Sequence, residues 1–430
     1  MKKLLFLCCA LLLLAACAQK EDNTKGKETK GDNKMNEQLV DKWEGNIEIP
    51  NGALPIIVEL QKDSGKLSVP AQGLSNYPFK SIKYDGDQVS VSINLNGSAI
   101  EINGTLKDGQ IEATFQQNGG KFPLVLKPFK EQPEQPVTYE TLKIPVQDGE
   151  LTVAIEKASK EPSPVALIIA GSGPTDKDGN SAIAGKNNSL KMIAEGLAKD
   201  GIATVRYDKR GLGDNKSLLT KEEDITFDQY VDDAVQVINT LLADKAYSSV
   251  HIIGHSEGSL IGLLAAQKAN VESFVSIAGA GRPIDEILLE QLKAQLSPEL
   301  LKESTDTLAS LKKGELVKDV SPELQSLFRS SIQPYMISWL KYNPANELAK
   351  VNSRVLIIQG TTDIQVVATD AEALKKGKPD AKLVYMDGMN HVLKNAPADR
   401  AKNLATYSDP SLPLHKELLP AIQQFILNEK

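Results

Sequence analysis

The chain carries its clearest signal in the segment Val250-His251-Ile252-Ile253-Gly254-His255-Ser256-Glu257-Gly258. Its first half is apolar and rich in β-branched residues, which predicts a buried strand, and it leads directly into a G-x-S-x-G pentapeptide. The residues that follow, 259–266, are small or apolar and favour a helix. A strand, a turn and a helix in this order predict a tight bend that exposes Ser256 Oγ as a nucleophile. The backbone N–H of Glu257 would then face a developing oxyanion.

The pentapeptide alone has a second interpretation, a glycine-rich strand–helix turn with a capping serine. Downstream residues favour the interpretation of Ser256 as a nucleophile. A nucleophilic serine at such a strand–turn–helix bend, called a nucleophile elbow, is followed along the chain by Asp or Glu and then by His. Asp363 follows one predicted buried strand, and His391 follows the next. We expect His391 to act as the general base for Ser256 and Asp363 to orient the imidazole. Asp370 is a rival to Asp363, but it falls in a predicted helix.

A second oxyanion donor is expected from the loop after the third strand of such a sheet. The apolar run 165–170 predicts that strand, and Gly171-Ser172-Gly173-Pro174 follows it. We assign the second donor to the N–H of Ser172, with the N–H of Gly173 as the alternative. Glycine lets the backbone approach a substrate closely. A plain glycine–proline turn is the other interpretation of this loop.

Several segments together resemble the α/β-hydrolase superfamily, and most closely its bacterial esterase and serine-aminopeptidase-like branch. They are 171–179, Arg206-Tyr207-Asp208-Lys209-Arg210-Gly211-Leu212-Gly213, 254–258, 360–363 and Asn390-His391. The resemblance covers residues 138 to 428 and implies a Ser–Asp–His triad and acyl-transfer chemistry. It also implies that Asp208 and Arg210 provide a structural ion pair that braces the oxyanion loop. Ala170-Gly171-Ser172 departs from the His-Gly-X sequence that is usual in that loop.

The N-terminus, residues 1–16, is predicted to be a lipoprotein signal. Lys2-Lys3 precede an apolar run, 4–14, that is too short to span a bilayer as a helix. The next residues resemble a lipobox that ends at Cys17, so we expect cleavage before Cys17 and attachment of acyl chains such as palmitate to it. An ordinary secretory signal is the alternative. Because two or three acyl chains anchor a protein far better than one, we expect an exported protein tethered to the cell membrane or envelope.

Composition excludes several chemistries and partners. The three cysteines are Cys8, Cys9 and Cys17, so the mature chain would have no thiol for a disulfide, a cysteine nucleophile or a zinc–thiolate site. No cofactor and no metal are expected. A net charge of −7 without a basic stripe argues against nucleic acid as a partner. The segment 17–38 is polar and charged, which is typical of a flexible tether behind the lipidated cysteine.

Two domains are expected after the tether. Residues 39–128 alternate apolar and polar side chains with period two, and hairpin-turn dipeptides such as Asp85-Gly86 and Asp108-Gly109 punctuate them. These features predict a small antiparallel β barrel or sandwich of about six to eight short strands. It would be a ligand or glycan platform or, as we favour, a spacer or a wall. A proline-rich linker, 129–137, precedes the second domain.

Residues 138–430 alternate predicted strands and helices, which indicates an α/β fold with a mostly parallel sheet. A helical cap is predicted at 283–345, where Met336 and Trp339 lie at helical spacing. The cap would roof the site and limit substrate size. We therefore predict a lipid-anchored carboxylesterase for small or short-chain acyl esters. The alternatives are a peptidase or amidase of the same fold, and a surface-binding lipoprotein with an inactive hydrolase fold.

Overall fold

The computed structural model describes residues 35–49, 52–69, 74–95, 98–117, 120–130, 139–181, 185–293 and 296–427. The predicted signal, Cys17, most of the tether and most of the linker lie outside these residues. The described chain forms two compact units: the β unit, residues 35–130, and the α/β unit, residues 139–181 and 186–427. Among the helices of the described residues, none is long and apolar enough to cross a membrane.

The β unit is one antiparallel sheet, in which the described residues form nine strands rather than the six to eight expected. The strands are β1 (Lys42–Ile49), β2 (Gly52–Leu60), β3 (Gly65–Val69), β4 (Leu74–Pro78), β5 (Ser81–Asp85), β6 (Gln88–Leu95), β7 (Ser98–Lys107), β8 (Gln110–Gln117) and β9 (Gly120–Pro128). Their order in the sheet is β4-β3-β2-β1-β9-β8-β7-β6-β5. The two edge strands are separated by only Phe79 and Lys80, whose N–H groups donate to Gly65 of β3 and Ser92 of β6. The sheet is therefore curled, and its inner face holds an apolar core.

The α/β unit is built on a mixed sheet, to which the described residues contribute eight strands. They are β10 (Glu140–Val146), β11 (Gly149–Glu156), β12 (Ser163–Ile169), β13 (Ala203–Tyr207), β14 (Tyr247–His255), β15 (Ser273–Ile277), β16 (Arg354–Gly360) and β17 (Lys382–Met386). Their order is β10-β11-β13-β12-β14-β15-β16-β17, and the strands from β13 to β17 in that order pair in parallel. Both faces are buried: Leu167 of β12 packs into one apolar cluster, and its neighbour Ile168 packs into another.

Helices supply the other side of both clusters. They are α1 (Ser189–Lys199), α2 (Phe227–Ala243), α3 (Glu257–Lys268), α4 (Ile284–Lys293), α5 (Pro298–Lys312), α6 (Gln325–Phe328), α7 (Gln333–Trp339), α8 (Pro344–Leu348), α9 (Ala368–Gly377), α10 (Arg400–Ala405) and α11 (Leu418–Leu427). Short 3₁₀ turns lie at Glu37–Leu39, Gly213–Leu218, Glu222–Asp224, Pro322–Leu324, Ser330–Ile332 and Thr406–Ser408. Helices α4 to α8 form an insertion between β15 and β16.

The apolar stripe of the insertion packs into the same apolar cluster as one face of the sheet. Met336 is fully buried, and the Trp339 ring stacks on Phe227 of α2 with 5.5 Å between the ring centroids. Tyr335 meets the Trp339 ring edge-on at 5.6 Å. These contacts attach α7 to α2, so Met336 and Trp339 stabilise the insertion by packing.

Candidate active site

Ser256 stands at the bend between strand β14 and helix α3. Its backbone has φ 55° and ψ −120°, a region that non-glycine residues adopt only under strain and that is characteristic of functional sites. The N–H of Ser256 donates to the carbonyl of Ile277 at the end of β15. Glycine is needed at 258, because a Cβ there would collide with the backbone oxygen of Ile169 in β12. The packed sheet therefore holds the strained serine in place.

Ser256, His391 and Asp363 form a continuous chain of hydrogen bonds. His391 Nε2 lies 3.1 Å from Ser256 Oγ, and His391 Nδ1 lies 2.8 Å from Asp363 Oδ2. A carboxylate only accepts, so Nδ1 carries the proton and Nε2 is free to accept from the serine hydroxyl. The other oxygen of Asp363, Oδ1, accepts from the N–H groups of Gln365 and Val366. These backbone donors fix the carboxylate that orients the imidazole.

The loop after β12 lies against the nucleophile. A Cβ built on Gly171 would be 3.2 Å from Ser256 Cβ, which is tighter than an ordinary van der Waals contact, so glycine lets the loop lie this close without displacing its neighbours. The next peptide units are also oriented, because Thr175 Oγ1 donates to the carbonyl of Ser172 at 2.8 Å. Ser172 and Gly173, the two candidates for the second oxyanion donor, therefore belong to a loop that is fixed beside Ser256.

His255 holds the loop of His391 from the other side. Its Nε2 lies 2.8 Å from the carbonyl oxygen of His391, and since a carbonyl only accepts, Nε2 carries the proton. Burial, with the nearby His391 ring as a smaller cause, lowers the pKa of His255 to about 4. His255 therefore stays neutral at neutral pH and places the backbone of His391 without competing for the proton from Ser256.

The chain is similar to solved α/β hydrolases. Est1E from Butyrivibrio proteoclasticus is 18% identical, with a TM-score of 0.44, and the match covers 67% of this chain and 98% of that one. A proline iminopeptidase from Mycobacterium smegmatis is 17% identical, with a TM-score of 0.44 and the same coverage of 67% and 98%.

The sequence itself is similar to a known esterase and matches a family model. Esterase EstD of Thermotoga maritima is 26% identical over 317 residues, which are 73% of this chain and 71% of that protein. Residues 184–397 match the sequence model of a family described as serine aminopeptidase, S33. The chain belongs to the α/β-hydrolase superfamily. The predicted fold class, an α/β hydrolase preceded by a small all-β domain, is confirmed, and so is the predicted enzyme class, a serine hydrolase.

In this hydrolase the predicted pairing of Asp208 with Arg210 is wrong. Asp208 accepts from the backbone N–H and the ammonium of Lys177, at 2.7 and 3.2 Å, and so braces the loop after β12. Arg210 points elsewhere and forms a bidentate pair with Asp233 of α2, at 2.6 and 2.7 Å. The side chains of these neighbouring turn residues point in different directions, so each pairs with a residue that is distant in sequence.

The rival carboxylate, Asp370, has a different role in the hydrolase. It is fully buried at the start of α9 and accepts from the N–H groups of Gly281 and Arg282, at 3.1 and 3.2 Å. It also pairs with the Arg282 guanidinium at 2.9 Å. Asp370 therefore fastens the chain just before the helical insertion and does not take part in the hydrogen bonds of His391.

Two buried residues next to the site were not predicted from the sequence. Lys209 places its ammonium 2.6 Å from the carbonyl oxygen of Gly171 and 3.0 Å from Glu257 Oε1. Tyr335 of α7 donates to Glu257 Oε2 at 2.6 Å. The signal for Lys209 was its place in a charged turn directly after a buried strand. The sequence has no comparable signal for Tyr335.

Proposed function

We propose that this hydrolase is a carboxylesterase that cleaves small or short-chain acyl esters with Ser256, His391 and Asp363. The supporting observation is the unbroken chain of hydrogen bonds from Asp363 through His391 to Ser256 at a strained strand–helix bend. Ser256 Oγ attacks the acyl carbon while His391 Nε2 takes its proton, and the N–H groups of Glu257 and Ser172 hold the oxyanion. His391 then gives the proton to the departing alcohol, and water hydrolyses the acyl-enzyme by the same route.

One observation favours esters over peptides: the similar EstD protein is named an esterase. A peptidase that selects a free amino terminus needs an available acid. In the insertion, Asp285 and Glu290 pair with Lys312 and Arg282, at 2.5 and 2.6 Å, whereas Glu286 is exposed. The description of the matched family as serine aminopeptidase favours peptidase activity, which is the second candidate.

A substrate series tests the proposal. Turnover of p-nitrophenyl esters from acetate to dodecanoate is compared with turnover of amino-acid p-nitroanilides. We expect kcat/KM to peak at short esters, to decline gradually as the chain lengthens, since one methylene changes selectivity by about 1–3 kcal/mol, and to be lower for every anilide. Faster anilide hydrolysis would favour the peptidase, and no turnover of either series would favour an inactive, ligand-binding lipoprotein.

We also propose that the enzyme is exported and anchored to a membrane through acyl chains on Cys17. The support is the lipobox-like sequence that ends at this cysteine. Mass spectrometry of the mature N-terminus should find an acylated Cys17 as the first residue, and Cys17→Ser should release the protein from the membrane fraction or block its processing. An unmodified mature N-terminus at another residue would refute the anchor and leave the esterase proposal untouched.

A further inference from the structure

Lys209 is a buried cation beside the nucleophile. Its side chain is 2% exposed, and its ammonium contacts a backbone carbonyl, that of Gly171, and a carboxylate, that of Glu257. It also lies 5.0 Å from the centre of the Tyr230 ring. Burying a charge is costly unless the surroundings compensate it, so a buried lysine with such defined partners calls for a functional explanation.

The first contact fixes a peptide plane. The carbonyl of Gly171 and the N–H of Ser172 belong to the same planar trans peptide and point in opposite directions. An ammonium 2.6 Å from the carbonyl oxygen therefore sets the direction of the Ser172 N–H, which is the assigned second oxyanion donor. A charge-assisted hydrogen bond at the carbonyl also polarises the peptide and makes its N–H a stronger donor.

The second contact reaches the other donor. Glu257 is the assigned source of the first oxyanion N–H. Both of its carboxylate oxygens accept hydrogen bonds, one from Lys209 at 3.0 Å and the other from Tyr335 of the insertion at 2.6 Å. Burial, together with the Glu257 charge, raises the pKa of Tyr335 well above its usual value, so the phenol remains a donor. The Lys209 ammonium thus bridges the loop after β12 and the first residue of α3.

We propose that Lys209 is a positioning residue that aligns both N–H donors of the oxyanion hole, with Tyr335 of the helical insertion holding Glu257 in register. Catalysis benefits because donors that are already oriented need no reorganisation as charge develops on the acyl oxygen. The inference rests on the proposed hydrolase function. It differs from a purely structural ion pair, which would affect folding but not the stabilisation of the oxyanion.

The test compares Lys209→Met, Glu257→Gln and the double variant in the full-length enzyme. Losing one partner leaves a buried charge unpaired, so each single variant should melt earlier, and the double variant should recover most of the melting temperature. Its kcat should nevertheless stay about 100-fold below wild type, with KM within about threefold, because Gly171 is no longer held. The affinity for a trifluoromethyl ketone, which mimics the tetrahedral oxyanion, should fall by the same factor as kcat/KM.

Arg210→Met is the matched control. It breaks an equally buried ion pair, with Asp233, that touches neither Gly171 nor Glu257, and so it should lower the melting temperature while keeping the ketone affinity. Recovery of both stability and ketone affinity in the Lys209→Met/Glu257→Gln double variant would overturn the inference. If wild type neither turns over esters nor binds the ketone, the proposed function fails first, and the two failures are thereby distinguished.

Discussion

The two units bury different side chains. In the described part of the β unit, the buried side chains are apolar and run from Leu39 to Leu126. In the α/β unit, buried polar and charged side chains run from Glu156 to His415, and they include Lys209, Arg210 and Asp233. Burial of apolar side chains stabilises a fold, whereas burial of ionisable groups costs free energy unless they are paired.

The contrast indicates which unit of the chain carries the reactive groups. Some buried polar groups of the α/β unit, such as Lys209 and His391, lie in the segments that follow β13 and β17 and contact the residues around Ser256, just after β14. Others lie elsewhere in the unit. In the β unit, hydrogen-bonding side chains such as Glu112 and Lys107 pair on the outside, where an ion pair contributes little. We therefore expect substitutions in the two units to separate activity from stability.

The largest difference should come from serines. Ser256→Ala should lower kcat by about 10⁶-fold, since the nucleophile of a triad is lost. Ser90→Ala, at an exposed serine of β6, should leave kcat unchanged within about twofold. Initial rates on a short p-nitrophenyl ester measure both. Comparable rates for the two variants would remove the functional distinction between the units.

The next largest difference is expected between two aspartates of the α/β unit, Asp363 and Asp370. Asp363→Asn should lower kcat by about 10⁴-fold. The amide oxygen would stay with the N–H groups of Gln365 and Val366, so the NH2 group, a donor, would face Nδ1 of His391 and favour the wrong tautomer. Asp370→Asn should instead lower the melting temperature and keep kcat/KM within about tenfold, since it loosens only the chain at Gly281 and Arg282. The reverse pattern would show that Asp370 is the partner of His391.

A core substitution in the β unit should cost stability alone. Ile93 is fully buried in β6, and Ile93→Ala should lower the free energy of unfolding of this unit by about 2–5 kcal/mol. Hydrogen exchange followed by mass spectrometry should show faster exchange in β6 and β7 and unchanged exchange in the peptide with Ser256. Val125→Ala, at a side chain on β9 that is 45% exposed, is the control and should change little. A fall in kcat for Ile93→Ala would contradict the separation.

The smallest effect concerns pH. All four histidines lie in the α/β unit, and burial, with Arg354 as a smaller cause, lowers the pKa of His251 to about 4. The unfolded chain binds the proton near pH 6.5, so falling pH favours unfolding between about 6.5 and 4, by at most about 1.4 kcal/mol per pH unit for this group. Hydrogen exchange at pH 7 and pH 5 should show this loss in β14, and His251→Gln should reduce it. An equal loss in the β unit would exclude the histidines as the cause.

The sequence predicted the elbow because its signals are local. Strand, glycine and serine patterns within 250–266 specify the bend, and the order of Ser256, Asp363 and His391 along the chain then indicates partners. The number of strands in the β unit was underestimated, because β4 and β5 are short and only Phe79 and Lys80 lie between them, without a turn dipeptide.

Pairings across long sequence separations could not be predicted. Asp208, Lys209 and Arg210 are three consecutive charged residues. In the structure they form ion pairs with Lys177, Glu257 and Asp233, respectively. Which side chain of such a turn faces inward depends on the backbone geometry after β13 and on helices that pack there. No pattern within the turn itself carries that information.

The most direct test of the account is the site of covalent labelling by a fluorophosphonate. The full-length enzyme is treated with the reagent, digested and analysed by tandem mass spectrometry, with and without a competing short-chain ester. The account predicts one adduct per chain, on the peptide that carries Ser256, and slower labelling when the ester is present. An adduct on another serine, or no adduct on enzyme that hydrolyses the ester, would contradict it.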